Sequence, residues 1–139
     1  MMTRNKTIKN ALRQDFPAVK INDSLETALK IMARGNVTAL LVKLDEEVVG
    51  IITISDIMYS LAEEDDPQQI TVSSFMTKCE LITTKTVKSP CVQLDEDEDI
   101  LAAIKVMNEA GVNHVLVSRS GGKPVGVVSS LEIIQVLAD

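Results

Sequence analysis

An internal repeat limits what this chain can fold into more than any other feature of its sequence. Ala28-Leu29-Lys30-Ile31-Met32 returns as Ala103-Ile104-Lys105-Val106-Met107, an offset of 107 − 32 = 75 positions. Each stretch leads to an apolar run, Thr38-Ala39-Leu40-Leu41-Val42 and then Asn113-His114-Val115-Leu116-Val117. Each run is followed by a Gly set among aliphatics, Val49-Gly50-Ile51-Ile52-Thr53 and Val125-Gly126-Val127-Val128-Ser129. Here the offset is 126 − 50 = 76, so the second hairpin has gained one residue.

Local signals assign elements to the repeat. Leu25, Ala28, Leu29 and Met32 share a helical face, and Ile100, Ala103, Ile104 and Met107 do the same in the second copy. Asp23 with Glu26 three residues on reads as a capping-box variant, with Gly35 as the C-cap. In the second copy the acidic run 95–99 stands at the helix N-terminus, where the dipole favours negative charge, and Gly111 ends the helix. Stretches 48–52 and 125–128 are rich in β-branched residues, which favour strands. Hairpin turns fall near Asp45-Glu46-Glu47 and at Ser120-Gly121-Gly122-Lys123, where glycine permits positive φ. A short helix closes each copy, over 57–61 and 133–137. Each copy therefore reads strand, helix, strand, strand, helix, and the fold class is α+β with two βαββα repeats. The expected boundaries are a helical segment over 1–16 (Ile8, Leu12 and Phe16 are spaced by four), repeat one over 17–64, a linker over 65–86 and repeat two over 87–139.

Composition excludes several function classes. Apolar residues make up 45% of the 139, enough for a core, but with no Trp, one Tyr and two Phe that core must be aliphatic. The net charge of −6 argues against non-specific nucleic-acid binding. It leaves room for a small anion held by backbone N–H groups. Cys79 and Cys91 match neither a zinc nor a disulfide spacing and read as reduced thiols. No apolar run reaches the roughly 18 residues of a membrane span, and no signal core follows the basic first six residues. The expectation is a cytoplasmic protein with no membrane contact.

The order of these elements resembles the pattern of CBS domains, here as a tandem pair or Bateman module. It is carried by Gly50-Ile51-Ile52-Thr53-Ile54-Ser55-Asp56-Ile57 and Gly126-Val127-Val128-Ser129-Ser130-Leu131-Glu132-Ile133. Ser74-Phe75-Met76-Thr77 is similar to the Val-Met-Thr stretch that commonly precedes a CBS copy. The resemblance runs from about Pro17 onward. It implies two repeats packed about a pseudo-twofold axis, with clefts between the copies that bind adenosine-containing ligands such as AMP, ADP, ATP or S-adenosylmethionine. It also implies a homodimer and a regulatory role read out by an effector protein.

The same resemblance suggests residue roles. Thr53 would contact a phosphate. Asp56 would contact a ribose, because one carboxylate accepts a hydrogen bond from each of two neighbouring hydroxyls. Asp56 or Ser55 equally suits a plain helix cap. In the second copy Ser129 matches Thr53, Glu132 replaces the expected Asp, and Leu131 stands where Ser55 stands. Asp56 is therefore the expected better site, and Glu132 also reads as a solvated helix carboxylate. His114 stands where many copies carry a basic residue facing phosphate, whereas the matching Ala39 has no such group; a partly buried strand histidine is the alternative. Thr38 and Asn113, just before, are weaker polar candidates. The base slot maps to Pro17-Ala18-Val19 and Pro90-Cys91-Val92, although strand packing alone also explains Ala18, Val19 and Cys91.

Other signals lapse on inspection. From Asp95 the sixth residue is Ile100 and the twelfth is Val106, so the calcium-loop pattern fails and a solvated helix start is expected. Gly121-Gly122-Lys123 lacks the rest of a P-loop. One His and no paired nucleophile leave no catalytic constellation, so the chain reads as a non-enzyme needing no cofactor. A ligand-free structural or interaction module is the alternative to the sensor.

Overall fold

The computed structural model describes residues 6–13, 16–78 and 92–139. The chain forms two compact units, Phe16–Glu80 and Met1–Asp15 together with Leu81–Asp139.

The first unit runs β1 (Ala18–Lys20), α1 (Leu25–Gly35), β2 (Ala39–Leu44), β3 (Glu47–Thr53), α2 (Ile54–Ala62), α3 (Val72–Phe75) and β4 (Thr77–Lys78). Its sheet has the order β1-β2-β3-β4, with β1 parallel to β2 and the other pairs antiparallel. The second unit runs β5 (Gln93–Asp95), α4 (Ile100–Ala110), β6 (His114–Ser118), β7 (Pro124–Ser129) and α5 (Ser130–Ala138), in a sheet of order β5-β6-β7. Both copies are thus βαββα, as the repeat requires. Even the ladder irregularity repeats, at Val42/Lys43 and at Val117/Ser118.

Each unit has its own apolar core. In the first, Leu25, Ala28 and Met32 from α1 meet Leu40, Val42, Ile52, Ile57 and Val72. In the second, Ile100, Ala103 and Met107 from α4 meet Val115, Val117, Val128, Ile133 and Ile8. The helical spacing of i, i+3, i+7 delivers the first three of each set, and strand alternation delivers the next.

Ile8 and Val72 show how each unit is finished. Val72 N donates to Asp23 O and Ser73 N to Ile21 O, while Leu25 N donates to Ile70 O. Ile8 N donates to Glu98 O and Lys9 N to Glu96 O, while Ile100 N donates to Lys6 O. The two sets are the same three bonds made by Thr71-Val72-Ser73 and by Thr7-Ile8-Lys9. Residues 6–12 therefore lie on the second repeat, although they precede the first. Lys6 Nζ adds a bond to Val136 O at 2.7 Å. Among the described residues of the expected N-terminal helix, only Ile8–Ala11 is helical, as a 3-10 turn, and Leu12 is extended. Burying Ile8 and Ala11 while handing backbone N–H groups to Glu98 and Glu96 leaves no room for a longer helix. The described part of the expected linker, 65–78, carries α3 and β4.

Two capping assignments shift by one position each. Ser24, not Asp23, caps α1 and accepts from Thr27 N at 3.1 Å. Asp23 Oδ2 instead accepts from Lys20 N at 2.8 Å, closing the turn after β1. Asn36, not Gly35, takes the left-handed C-cap at φ 51, a conformation Asn tolerates. Gly111 does cap α4, at φ 67. The acidic run is not all solvated. Asp99 caps α4 through Leu101 N at 2.7 Å, but Glu96 is only 4% exposed and meets Arg119 Nε at 2.9 Å. Its backbone is held by Ser118 O and Lys9 N, which fixes the side chain inward.

Candidate functional site

In the first unit β3 runs directly into α2, and in the second β7 runs directly into α5; the candidate residues gather at these two junctions. In the first unit Thr53 caps α2. Its Oγ1 accepts from Asp56 N at 3.2 Å, and Asp56 Oδ2 accepts from Thr53 N at 2.9 Å. This reciprocal box satisfies two N–H groups that a helix start otherwise leaves unpaired. The cap is thus Thr53, with Asp56 as its third helical residue, rather than Asp56 or Ser55 as the capping residue. Ser55 lies in the first turn and is exposed. Thr38 is brought beside them, its carbonyl accepting from Ile54 N at 3.2 Å, and Ala39 pairs with Thr53 across β2 and β3.

A further residue that carried no assigned role joins this group. Thr77 Oγ1 donates to Asp56 at 3.2 Å from both Oδ1 and Oδ2. The signal for it was present in the Met76-Thr77 motif, but 21 positions separate Thr77 from Asp56, and only the pairing of β3 with β4 brings them together. Gly50 makes that pairing possible, because a Cβ there would lie 2.6 Å from Thr77 O.

The second unit builds the same box. Ser129 Oγ accepts from Glu132 N at 3.3 Å, and Glu132 Oε1 accepts from Ser129 N at 2.9 Å. The extra methylene of Glu132 does not prevent the return bond. His114 pairs with Ser129 in the ladder and is half-buried. Asn113 O accepts from Ser130 N at 2.9 Å, and Asn113 Oδ1 accepts from Ser130 Oγ at 3.2 Å. Asn113, His114, Ser129 and Glu132 are therefore one cluster, joined by Ser130, whose matching position in the first unit is the apolar Ile54.

The expected base slot is separate from these boxes by one strand. Ala18 pairs with Leu41 on β1 and is half-buried, while Val19 is 3% exposed and belongs to the core. Packing accounts for Val19. Cys91, with Pro90 and Cys79, lies outside the described residues.

Electrostatically, the clearest shifts sit away from the boxes. The backbone N–H groups of Asp97 and Gly121 hold the Asp95 carboxyl below the usual carboxylate range. The hydrogen bond and charge of Lys30 do the same for Glu26. Among the described residues no group of three or more His, Cys, Asp and Glu is placed to hold a metal ion, and no helix is long and apolar enough to cross a membrane.

Two βαββα units, each with a capped strand-to-helix junction, define a tandem repeat module. The sequence profile of the CBS domain matches residues 8–63 and again 72–139, and the chain belongs to the CBS domain family. It is 31% identical over 87% of its length to a 17.7 kDa protein of Acidianus ambivalens, covering 66% of that protein. The crystal structure of the CBS domain NE2398 superposes with a TM-score of 0.78 at 26% identity, covering 96% of this chain and 98% of that one. A CBS-domain protein from Agrobacterium tumefaciens shares the fold, with a TM-score of 0.76 at 21% identity over 94% of this chain and 92% of that one. The first curated relatives are longer. The chain spans 53% of a protein from Methanopyrus kandleri (26% identical over 81% of this chain) and 25% of homoserine O-acetyltransferase from Methanococcus vannielii (27% identical over 95%).

Proposed function

We propose that this chain is a cytoplasmic, regulatory ligand-sensing module, not itself an enzyme, that receives an adenosine-containing ligand (AMP, ADP, ATP or S-adenosylmethionine) at the Thr53–Asp56 junction. The observation that carries this reading is the box itself. It holds a carboxylate and a hydroxyl together at the N-terminus of a nine-residue helix. Of about four lone-pair sites on the Asp56 carboxylate, the Thr53 N–H uses one and the Thr77 hydroxyl shares its single proton between the two oxygens, so a ribose diol engages both oxygens by taking the place of that hydroxyl. The Thr53 side and the helix start suit a phosphate. Glu132 and Ser129 offer a second site, with His114 as its phosphate-facing donor; Ala18 lies on β1, the strand assigned to the base, and Cys91 is its counterpart by sequence in the second repeat. Binding shifts the population of conformers, and the effector that reads the shift is a partner protein or a further domain. The presence of such a stretch within a quarter of a longer enzyme is in keeping with a module that serves another activity.

Thermal unfolding with AMP, ADP, ATP, S-adenosylmethionine and NAD tests the reading. A ligand at a hundred times its Kd stabilises the protein by about 2.7 kcal/mol. The expected result is a rise in midpoint that Asp56→Ala abolishes. No rise with any ligand would reject it.

The alternative, an interaction module without ligand, is favoured by a different observation. Ile54, Met58, Tyr59 and Leu61 of α2, and Leu131 and Ile134 of α5, are exposed large apolar residues. Such faces suit a homodimer. Sedimentation of Met58→Glu with Ile134→Glu would show monomer where the unaltered chain shows dimer.

A further inference from the structure

The Asp56 carboxylate carries a donor that the capping box does not need. Thr77 Oγ1 lies 3.2 Å from both carboxylate oxygens. A hydroxyl has one proton, so equal distances place it between the two oxygens in a shared bond. That is the region a vicinal diol needs if each of its hydroxyls is to donate to one oxygen.

The backbone of Thr77 has little freedom to withdraw. It pairs with Ile51 in the ladder, and its carbonyl lies 2.6 Å from where a Gly50 Cβ would be. The side chain is β-branched and half-buried. Its hydroxyl leaves Asp56 by turning to another staggered χ1 position, with the strand staying in place. Among the described residues, the matching place in the second unit carries no hydroxyl. The shared backbone bonds that match Thr71-Val72-Ser73 to Thr7-Ile8-Lys9 put Arg13 at the position of Thr77.

We infer that Thr77 is a built-in competitor for the Asp56 site: its hydroxyl holds the place of a ligand hydroxyl on the carboxylate and must rotate away before a vicinal diol can engage both oxygens. Thr77 thereby sets the affinity threshold of this site and selects for ligands with two adjacent hydroxyls. The inference rests on the adenosine reading of the same junction.

The test is calorimetric titration of the full chain with AMP and with 2′,3′-dideoxy-AMP, for the unaltered protein, Thr77→Val and Thr77→Ser. Valine keeps the branched shape and removes the donor. Thr77→Val should bind AMP about 2- to 10-fold tighter, the range expected when one hydrogen bond no longer has to be broken. Thr77→Ser should behave as the unaltered protein, and the gain should vanish with the dideoxy nucleotide. Unchanged or weaker AMP binding by a folded Thr77→Val would overturn the inference alone. No binding of AMP, nor of ADP, ATP or S-adenosylmethionine titrated in its place, by any of the three proteins would overturn the adenosine reading and the inference with it. If Thr77→Val does not fold, the χ1 couplings of Thr77 in the unaltered protein decide: a rotamer change on saturation with AMP supports the inference, and an unchanged rotamer overturns it.

Discussion

Leu25, Ala28, Met32, Leu40, Val42, Ile52 and Ile57 are buried in the first repeat, and Ile100, Ala103, Met107, Val115, Val117, Val128 and Ile133 are buried at the matching places in the second. Leucine exchanges with isoleucine or valine, and the fold does not change, because aliphatic cores tolerate swaps that keep volume and pattern. The junctions differ more. The first presents Thr53, Asp56 and Thr77 beside an apolar Ala39 and Ile54, whereas the second presents Ser129, Glu132 and Ser130 beside Asn113 and His114. Core positions are specified by size, which many residues satisfy. Site positions are specified by which atom donates to which, so small exchanges there alter what can be bound.

The strongest way to break the likeness of the two cores is at the residues supplied from outside each repeat. Ile8→Ala should destabilise the second unit by about 2–5 kcal/mol, the usual cost of deleting a buried branched aliphatic. Val72→Ala should weaken the first unit somewhat less, having fewer atoms to lose. Hydrogen exchange separates them: Ile8→Ala should lower protection in His114–Ser118 and spare Ala39–Leu44, and Val72→Ala should do the reverse. Loss of protection in both strand sets with either variant would show that the two units do not open separately.

The contrast between the sites is sharpened by removing each carboxylate. Asp56→Ala should weaken an adenosine ligand by about 10- to 100-fold, as expected for hydrogen bonds to a charged acceptor, and Glu132→Ala by less. Equal losses in parallel titrations would abolish the ranking of the two junctions. The caps should instead behave alike. Thr53→Ala and Ser129→Ala each remove one box, and each should cost about 1 kcal/mol in denaturant unfolding.

The smallest effect separates two acidic groups. Glu26 and Asp95 both have lowered pKa values in the folded chain. Each therefore contributes stability that is present above its unfolded value, near about 4, and is lost as pH falls through the lower folded value. The first cause at Glu26 is the hydrogen bond from the Lys30 ammonium, accompanied by its charge, and that charge is exposed to screening by salt. The causes at Asp95 are backbone N–H groups, which salt does not remove. In unfolding followed above about pH 5, where both contributions are present, the difference between Glu26→Gln and the unaltered chain should shrink at about 1 M salt, and that for Asp95→Asn should persist.

Much of this was written in the sequence because it depends on near neighbours. Helical spacing put Ala28 and Met32, then Ala103 and Met107, on buried faces, and alternation placed the strands. The boxes at Thr53–Asp56 and Ser129–Glu132 join residues three positions apart, so their residue types could be read directly, though the cap itself falls on Thr53 rather than on Asp56 or Ser55. Ser24 and Asn36 displaced Asp23 and Gly35 by a single position because neighbouring polar residues compete for the same N–H and left-handed places, and local pattern does not rank them.

What only the tertiary structure decided involves distant partners. Nothing in Thr7-Ile8-Lys9 says that it will close the second repeat, because its partners Glu96 and Glu98 lie almost ninety positions away. The burial of Glu96 within an acidic run was set by Ser118, Arg119 and Lys9 together. The Thr77 hydroxyl reached Asp56 because a glycine at position 50 let β4 come close. Periodicity and capping are properties of a few consecutive residues, and a sequence states them outright. Which far segment fills a gap or supplies a donor is fixed only when the whole core closes around it.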